Sequence, residues 1–171
     1  MLVRRCVVAM ALFVGVMLPA NASAADGIDC VYLNLSAEAK REIARIGIEN
    51  GDVFPWLLPA LDSCTARQRW SADARNMAST IVRSRLQLAR LRVTAPVNSA
   101  TLLRVDDAVL RGVPSERLAA WTAGGINDAD TVMLANLLRG AGVPEDQIGW
   151  FGRYVGMIAV IETYQRRFAA A

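Results

Sequence analysis

The sequence predicts an all-α protein, a compact bundle of about six or seven helices closed by one disulfide. Apolar residues recur in alternating steps of four and three along two long segments, and helix-starting and helix-stopping residues bracket those segments. No run alternates apolar and polar residues with the period of a strand.

The chain opens with Arg4 and Arg5, an apolar run of 13 residues from Cys6 to Leu18, then Ala22, Ser23 and Ala24. That order is the order of a secretory signal peptide. The run is shorter than the roughly 20 residues of a membrane span. Cleavage is expected after Ala24 or Ala25, which divides the chain into a signal peptide at 1–25 and a single helical domain at 26–171. The expected location is the periplasm or the extracellular medium, with no integral membrane anchor after cleavage. Gly27, Ile28 and Asp29 before Cys30 do not form an acylation box, so no lipid anchor is implied. Lys40 is the single lysine among 19 basic residues. With the abundant alanine, this points to a GC-rich coding sequence and a bacterial source.

Loss of Arg4 and Arg5 with the leader lowers the formal charge from +3 to +1. A charge this near zero provides no long-range attraction for nucleic acid or anionic lipid. Cleavage also removes Cys6, leaving Cys30 and Cys64, which an oxidising compartment would join. Closing that loop is worth about 4 kcal/mol in the chain-entropy model.

Ser36 can cap a helix over 36–50, with Leu35, Ala39, Ile43 and Ile46 on its apolar face and Gly51 after it. Pro59 predicts a short or kinked helical piece between Pro55 and Ser63. From 71 to 93 there is neither Gly nor Pro, and Trp70, Ala74, Met77, Ile81, Ser84, Leu88 and Leu91 form a seam. Val82, Leu86, Ala89 and Val93 make a second stripe, so this helix is expected at the centre of the bundle. Asn98 or Ser99 can cap the next helix, which ends near Gly112. Pro114 opens another, and Gly124 and Gly125 end it. Asn127 caps the following one, with Asp128 and Asp130 in its first turn. The last runs from Glu145 and Asp146 to Arg166 and Arg167, with Trp150, Tyr154, Met157, Ile161, Tyr164 and Phe168 as its seam. Gly149, Gly152 and Gly156 on this helix are expected to permit tight packing inside the domain. Two echoes, 110–121 and 138–150, repeat Leu-Arg-Gly followed by Val-Pro and a tryptophan. Recurrent helix punctuation explains them better than duplication does.

The chain has no histidine, which excludes serine triads, Cys–His pairs and ordinary zinc sites. No catalytic residue, metal site or cofactor is implied. Paired carboxylates remain at Asp106 and Asp107, at Asp128 and Asp130, and at Glu145 and Asp146, the last two pairs being explained by helix starts. Asp106 and Asp107 point about 100° apart on a helix, so at most one can face a given pocket. The arginines at 67, 69, 75, 83, 85, 90 and 92 scatter around their helix. Arg85 and Arg92 are expected to meet the glutamates of the first helix.

The stretch Asp52 to Cys64 holds Phe54, Trp56, Leu57 and Leu58 between prolines. It reads either as a strap whose aromatics bury against the following helix, or as an exposed binding surface stiffened by proline. As a surface, Phe54, Trp56, Leu57 and Leu58 are the candidate binding residues. The function expected is non-enzymatic, a secreted or periplasmic helical protein that binds or associates with another cell-envelope protein. Two other readings stand beside it. One is a carrier of an apolar small molecule between the seams of the long helix and the last helix, and the other is a carboxylate-dependent enzyme.

Overall fold

Helix periodicity and capping chemistry dictate most of the architecture. The computed structural model of the protein describes residues 24–46 and 53–171. Among these residues it is all-α: α1 Ala24–Asn34, α2 Ala37–Ile46, α3 Phe54–Gln68, α4 Ala72–Val93, α5 Ser99–Gly112, α6 Ser115–Gly124, α7 Asp128–Gly140 and α8 Ile148–Ala169. A 3-10 turn, Glu145–Gln147, leads into α8. The expected signal segment lies outside the described residues except for Ala24 and Ala25, which open α1. The end of the helix expected over 36–50 lies outside them too. No helix among the described residues is long and apolar enough to cross a membrane.

The capping residues Ser36, Asn98 and Asn127 act where the sequence places them, and Ser71, which the sequence reading did not single out, caps α4 in the same way. The side chains of Ser36, Ser71, Asn98 and Asn127 accept hydrogen bonds from the backbone N–H groups of Ala39, Ala74, Thr101 and Asp130. Gly125, at φ 95°, ends α6 in a conformation that a side chain would disfavour. The helix missing from the sequence reading is α1. Its segment is broken up by Asp26, Gly27 and Asp29, and its order comes from burial of Ile28 and Val31 and from the Cys30–Cys64 disulfide.

Helices α4 and α8 run antiparallel as the central pair. Near one end Trp70 meets Phe168 edge-on, with ring centroids 5.2 Å apart. Near the other, Arg92 hydrogen-bonds Tyr154. Two apolar clusters form along this pair. The first joins Ile28, Val31, Leu57, Leu61, Ile81, Val82 and Phe168 around the disulfide. The second joins Leu88, Leu91, Val105, Val109, Trp121, Leu138, Phe151 and Ile158. Each long helix contributes one half to each cluster, which is why each carries a seam over its whole length.

The second stripe of α4 is covered only in part. Val82 is buried, and its carbonyl accepts a bond from the Tyr32 hydroxyl of α1 at 3.2 Å. Val93, at the far end, is 87% exposed. The expected tight packing at the α8 glycines is not found: a Cβ at Gly149, Gly152 or Gly156 would meet nothing within 4 Å. The close approach falls instead at Gly112, where a Cβ would stand 3.0 Å from Leu137.

The two sequence echoes occupy equivalent junctions. Val113 and Val143 are both buried, and Pro114 and Pro144 each precede the next helical segment. At the second junction Arg104 of α5 donates from Nε to the Ala141 carbonyl at 2.9 Å, satisfying an acceptor that the end of α7 leaves open.

Candidate functional site

The stretch singled out by the sequence forms the first two turns of α3. Pro55 stands in the first turn, where the absent N–H costs nothing. Pro59 has no N–H to give the Pro55 carbonyl, yet the helix continues through it to Gln68 instead of ending near Ser63. Burial of Leu57, Ala60, Leu61 and Cys64 along one face holds it helical.

Helical geometry then sorts the four candidates. Leu57 is fully buried in the first apolar cluster, which removes it from any accessible surface. Trp56 is half-buried and packs against that cluster. Phe54 and Leu58 are half-buried and stand outside the cluster. They lie four residues apart, so they are neighbours on one helix face. Pro55 and Pro59, each one residue further on, are exposed. The structure therefore brings together a ridge of Phe54, Pro55, Leu58 and Pro59, with Trp56 at its side.

The ridge has a rigid base. Cys64, on the buried face of α3, is bridged to Cys30 of α1. Asn34 closes over this link: its Nδ2 donates to the Cys30 carbonyl at 2.7 Å and lies 3.4 Å from the Cys30 sulfur. Arg67 of α3 donates to Asn34 Oδ1 at 3.3 Å, adding a second tie between the same two helices. Asp62, one turn beyond Leu58, accepts from Arg75 of α4 at 2.7 Å.

One residue of the site was not legible as such. Arg83 of α4 sets its guanidinium carbon 5.4 Å from the centroid of the Phe54 ring. The only signal in the sequence was its position outside both apolar stripes. Which ring it would cover depends on how α3 lies against α4.

The remaining arginines do not converge. Arg85 meets Asp29 of α1 at 3.0 Å and Arg92 meets Asp106 of α5 at 2.7 Å, in place of the glutamates expected from the first helix. The reason is that α1, absent from the sequence reading, packs on α4, whereas α2 packs on α3.

Each acidic pair has at least one member in an ion pair. Asp106 turns inward, with its side chain 17% exposed, while Asp107 turns out to Arg111. Asp130 meets Arg117 at 3.3 Å and Glu145 meets Arg139 at 2.7 Å. The Arg139 hydrogen bond holds the Glu145 carboxyl below the usual carboxylate range. Among the described residues, no group of three or more potential ligands could hold a metal ion. The seams that were to line a carrier cavity supply buried residues of the two clusters, among them Ile81, Leu88, Leu91, Tyr154, Ile161 and Phe168.

No family model matches the chain, and no curated protein or solved structure matches it.

Proposed function

We propose that this protein is an exported, non-enzymatic helical protein that docks another cell-envelope protein on the Phe54–Leu58 ridge. The observation that carries the reading is the division within a single turn. Leu57 is fully buried, while Phe54 and Leu58 on either side of it are only half-buried and stand outside the first cluster. Apolar side chains left on a proline-stiffened helix that a disulfide pins down lose little conformational entropy on binding. Such small, rigid apolar ridges are the kind of anchor that fills a pocket at a protein interface. The leader at the start of the chain and the bridged cysteines support export.

The test combines stability and capture. A photo-cross-linking residue at Leu58 should trap one envelope protein in cells, and Leu58→Ser or Phe54→Ser should weaken the purified complex at least tenfold. Both variants should cost less than about 2 kcal/mol in urea, because the two side chains are only half-buried. Leu57→Ala, by contrast, should cost about 2–5 kcal/mol. If Leu58→Ser destabilises the fold as Leu57→Ala does, the segment is a core strap and the reading fails.

A further inference from the structure

We infer that the ridge accepts an acidic amphipathic helix, one that places an Asp or Glu one turn from a large apolar residue. This rests on the docking reading above and names the chemistry of its partner. Three arginines around the first cluster are already engaged, Arg67 by Asn34, Arg75 by Asp62 and Arg85 by Asp29. Arg83 differs. Among the described residues its guanidinium makes no ion pair and no hydrogen bond, and its contact is with the face of Phe54.

A guanidinium held over a ring keeps its N–H groups available, and it is weakly hydrated, so a carboxylate can take two of them at once. The ridge thus offers an apolar pair beside a cation that has no ion pair among the described residues, and the complementary surface is apolar with an anion at its edge. The spacing fixes the form of that surface. Phe54 and Leu58 lie one turn apart, and the Arg83 guanidinium lies over the face of the Phe54 ring, its carbon 5.4 Å from the centroid. A helical partner presents side chains at about this interval when they are three or four residues apart. The only carboxylate adjoining the ridge on its own helix, Asp62, is neutralised by Arg75 and does not repel an acidic partner.

The experiment selects from a phage library of random peptides on the mature, oxidised protein. The enriched peptides should place Asp or Glu three or four residues from Leu, Met, Phe or Trp. Binding should weaken at least tenfold with Leu58→Ser and about fivefold with Arg83→Gln, the upper end for an exposed ion pair. It should also weaken with added salt. Circular dichroism and an intact disulfide confirm that each variant is folded, and Phe54→Ser serves as an independent ridge variant. Peptides that need Leu58 but show no acidic enrichment, and that bind Arg83→Gln as tightly as wild type, overturn this inference and leave the docking reading standing. A selection that returns no peptide dependent on Phe54 or Leu58 overturns both. Concentration-dependent self-association abolished by Leu58→Ser would assign the ridge to a second copy of this chain and overturn the acidic-helix proposal.

Discussion

The Tyr154 hydroxyl donates to Asp106 Oδ1 at 2.7 Å, joining the core of α8 to the inward edge of α5. Arg92 of α4 completes the triangle, giving Nε to the same hydroxyl at 3.1 Å and Nη2 to Asp106 Oδ2 at 2.7 Å. Three helices thus meet at one charged cluster beside the second apolar core. Removing the hydroxyl leaves a largely buried carboxylate oxygen short of a donor, which costs about 1–3 kcal/mol. Urea unfolding of Tyr154→Phe should show that loss. A double-mutant cycle between Arg92→Ala and Asp106→Ala should depart from additivity by more than about 0.5 kcal/mol. Additivity would mean that the three groups do not act as a unit.

The same tyrosine should make the protein's stability fall in alkali. Burial pushes the hydroxyls of both Tyr154 and Tyr32 up to about 12, from an ordinary value of 10.0. For a group whose folded value is raised, the stabilisation is fully present below the unfolded value and is lost as pH rises towards the folded one. Stability should therefore decline between about pH 10 and pH 12. Denaturation midpoints measured across that window should fall less steeply in Tyr32→Phe and Tyr154→Phe. An unchanged slope in both would show that these hydroxyls are not held in their neutral form by the fold.

The disulfide spans a sequence separation of 34 residues, for which the chain-entropy model gives about 4 kcal/mol. Cys30→Ser with Cys64→Ser should lose about that much. The loss should be local in hydrogen exchange, because Cys30 and Cys64 belong to the first cluster alone. Amides in α1 and α3 should exchange faster while those around Phe151 and Val105 keep their protection, provided global unfolding stays rare. Equal acceleration in both clusters would show that the two unfold together.

Glycine in α8 offers a gain. At Gly152 and Gly156 a methyl group would enter open space, and neither has a positive φ. Gly→Ala at each should stabilise by about 0.5–1 kcal/mol, through helix propensity and a less flexible unfolded chain. The thermal midpoint of each variant reads this directly. A loss of stability would mean that these positions are packed more tightly than the structure places them.

What the chain by itself determined is local chemistry. Ser71, Asn98 and Asn127 start helices because their side chains satisfy backbone N–H groups three residues on, and Gly125 ends one because it accepts a positive φ. The seams of α4 and α8 follow from the helical period, and the pairing of Cys30 with Cys64 is expected from their being the two cysteines beyond the N-terminal apolar run. Only the tertiary structure decided the rest. Segment 24–34 holds Asp26, Gly27 and Asp29, poor helix formers, and its helix forms because Ile28 and Val31 find a core to enter. Pro59 predicted an interruption that burial of Leu57, Leu61 and Cys64 overrode. Leu57 went inward and Leu58 did not, because the arc a helix buries depends on the neighbours that arrive to cover it. Arg85 took Asp29 and Arg83 took a ring because exposed ion pairs are worth only about 0.2–1 kcal/mol. Interactions that weak follow the packing of the helices and do not direct it.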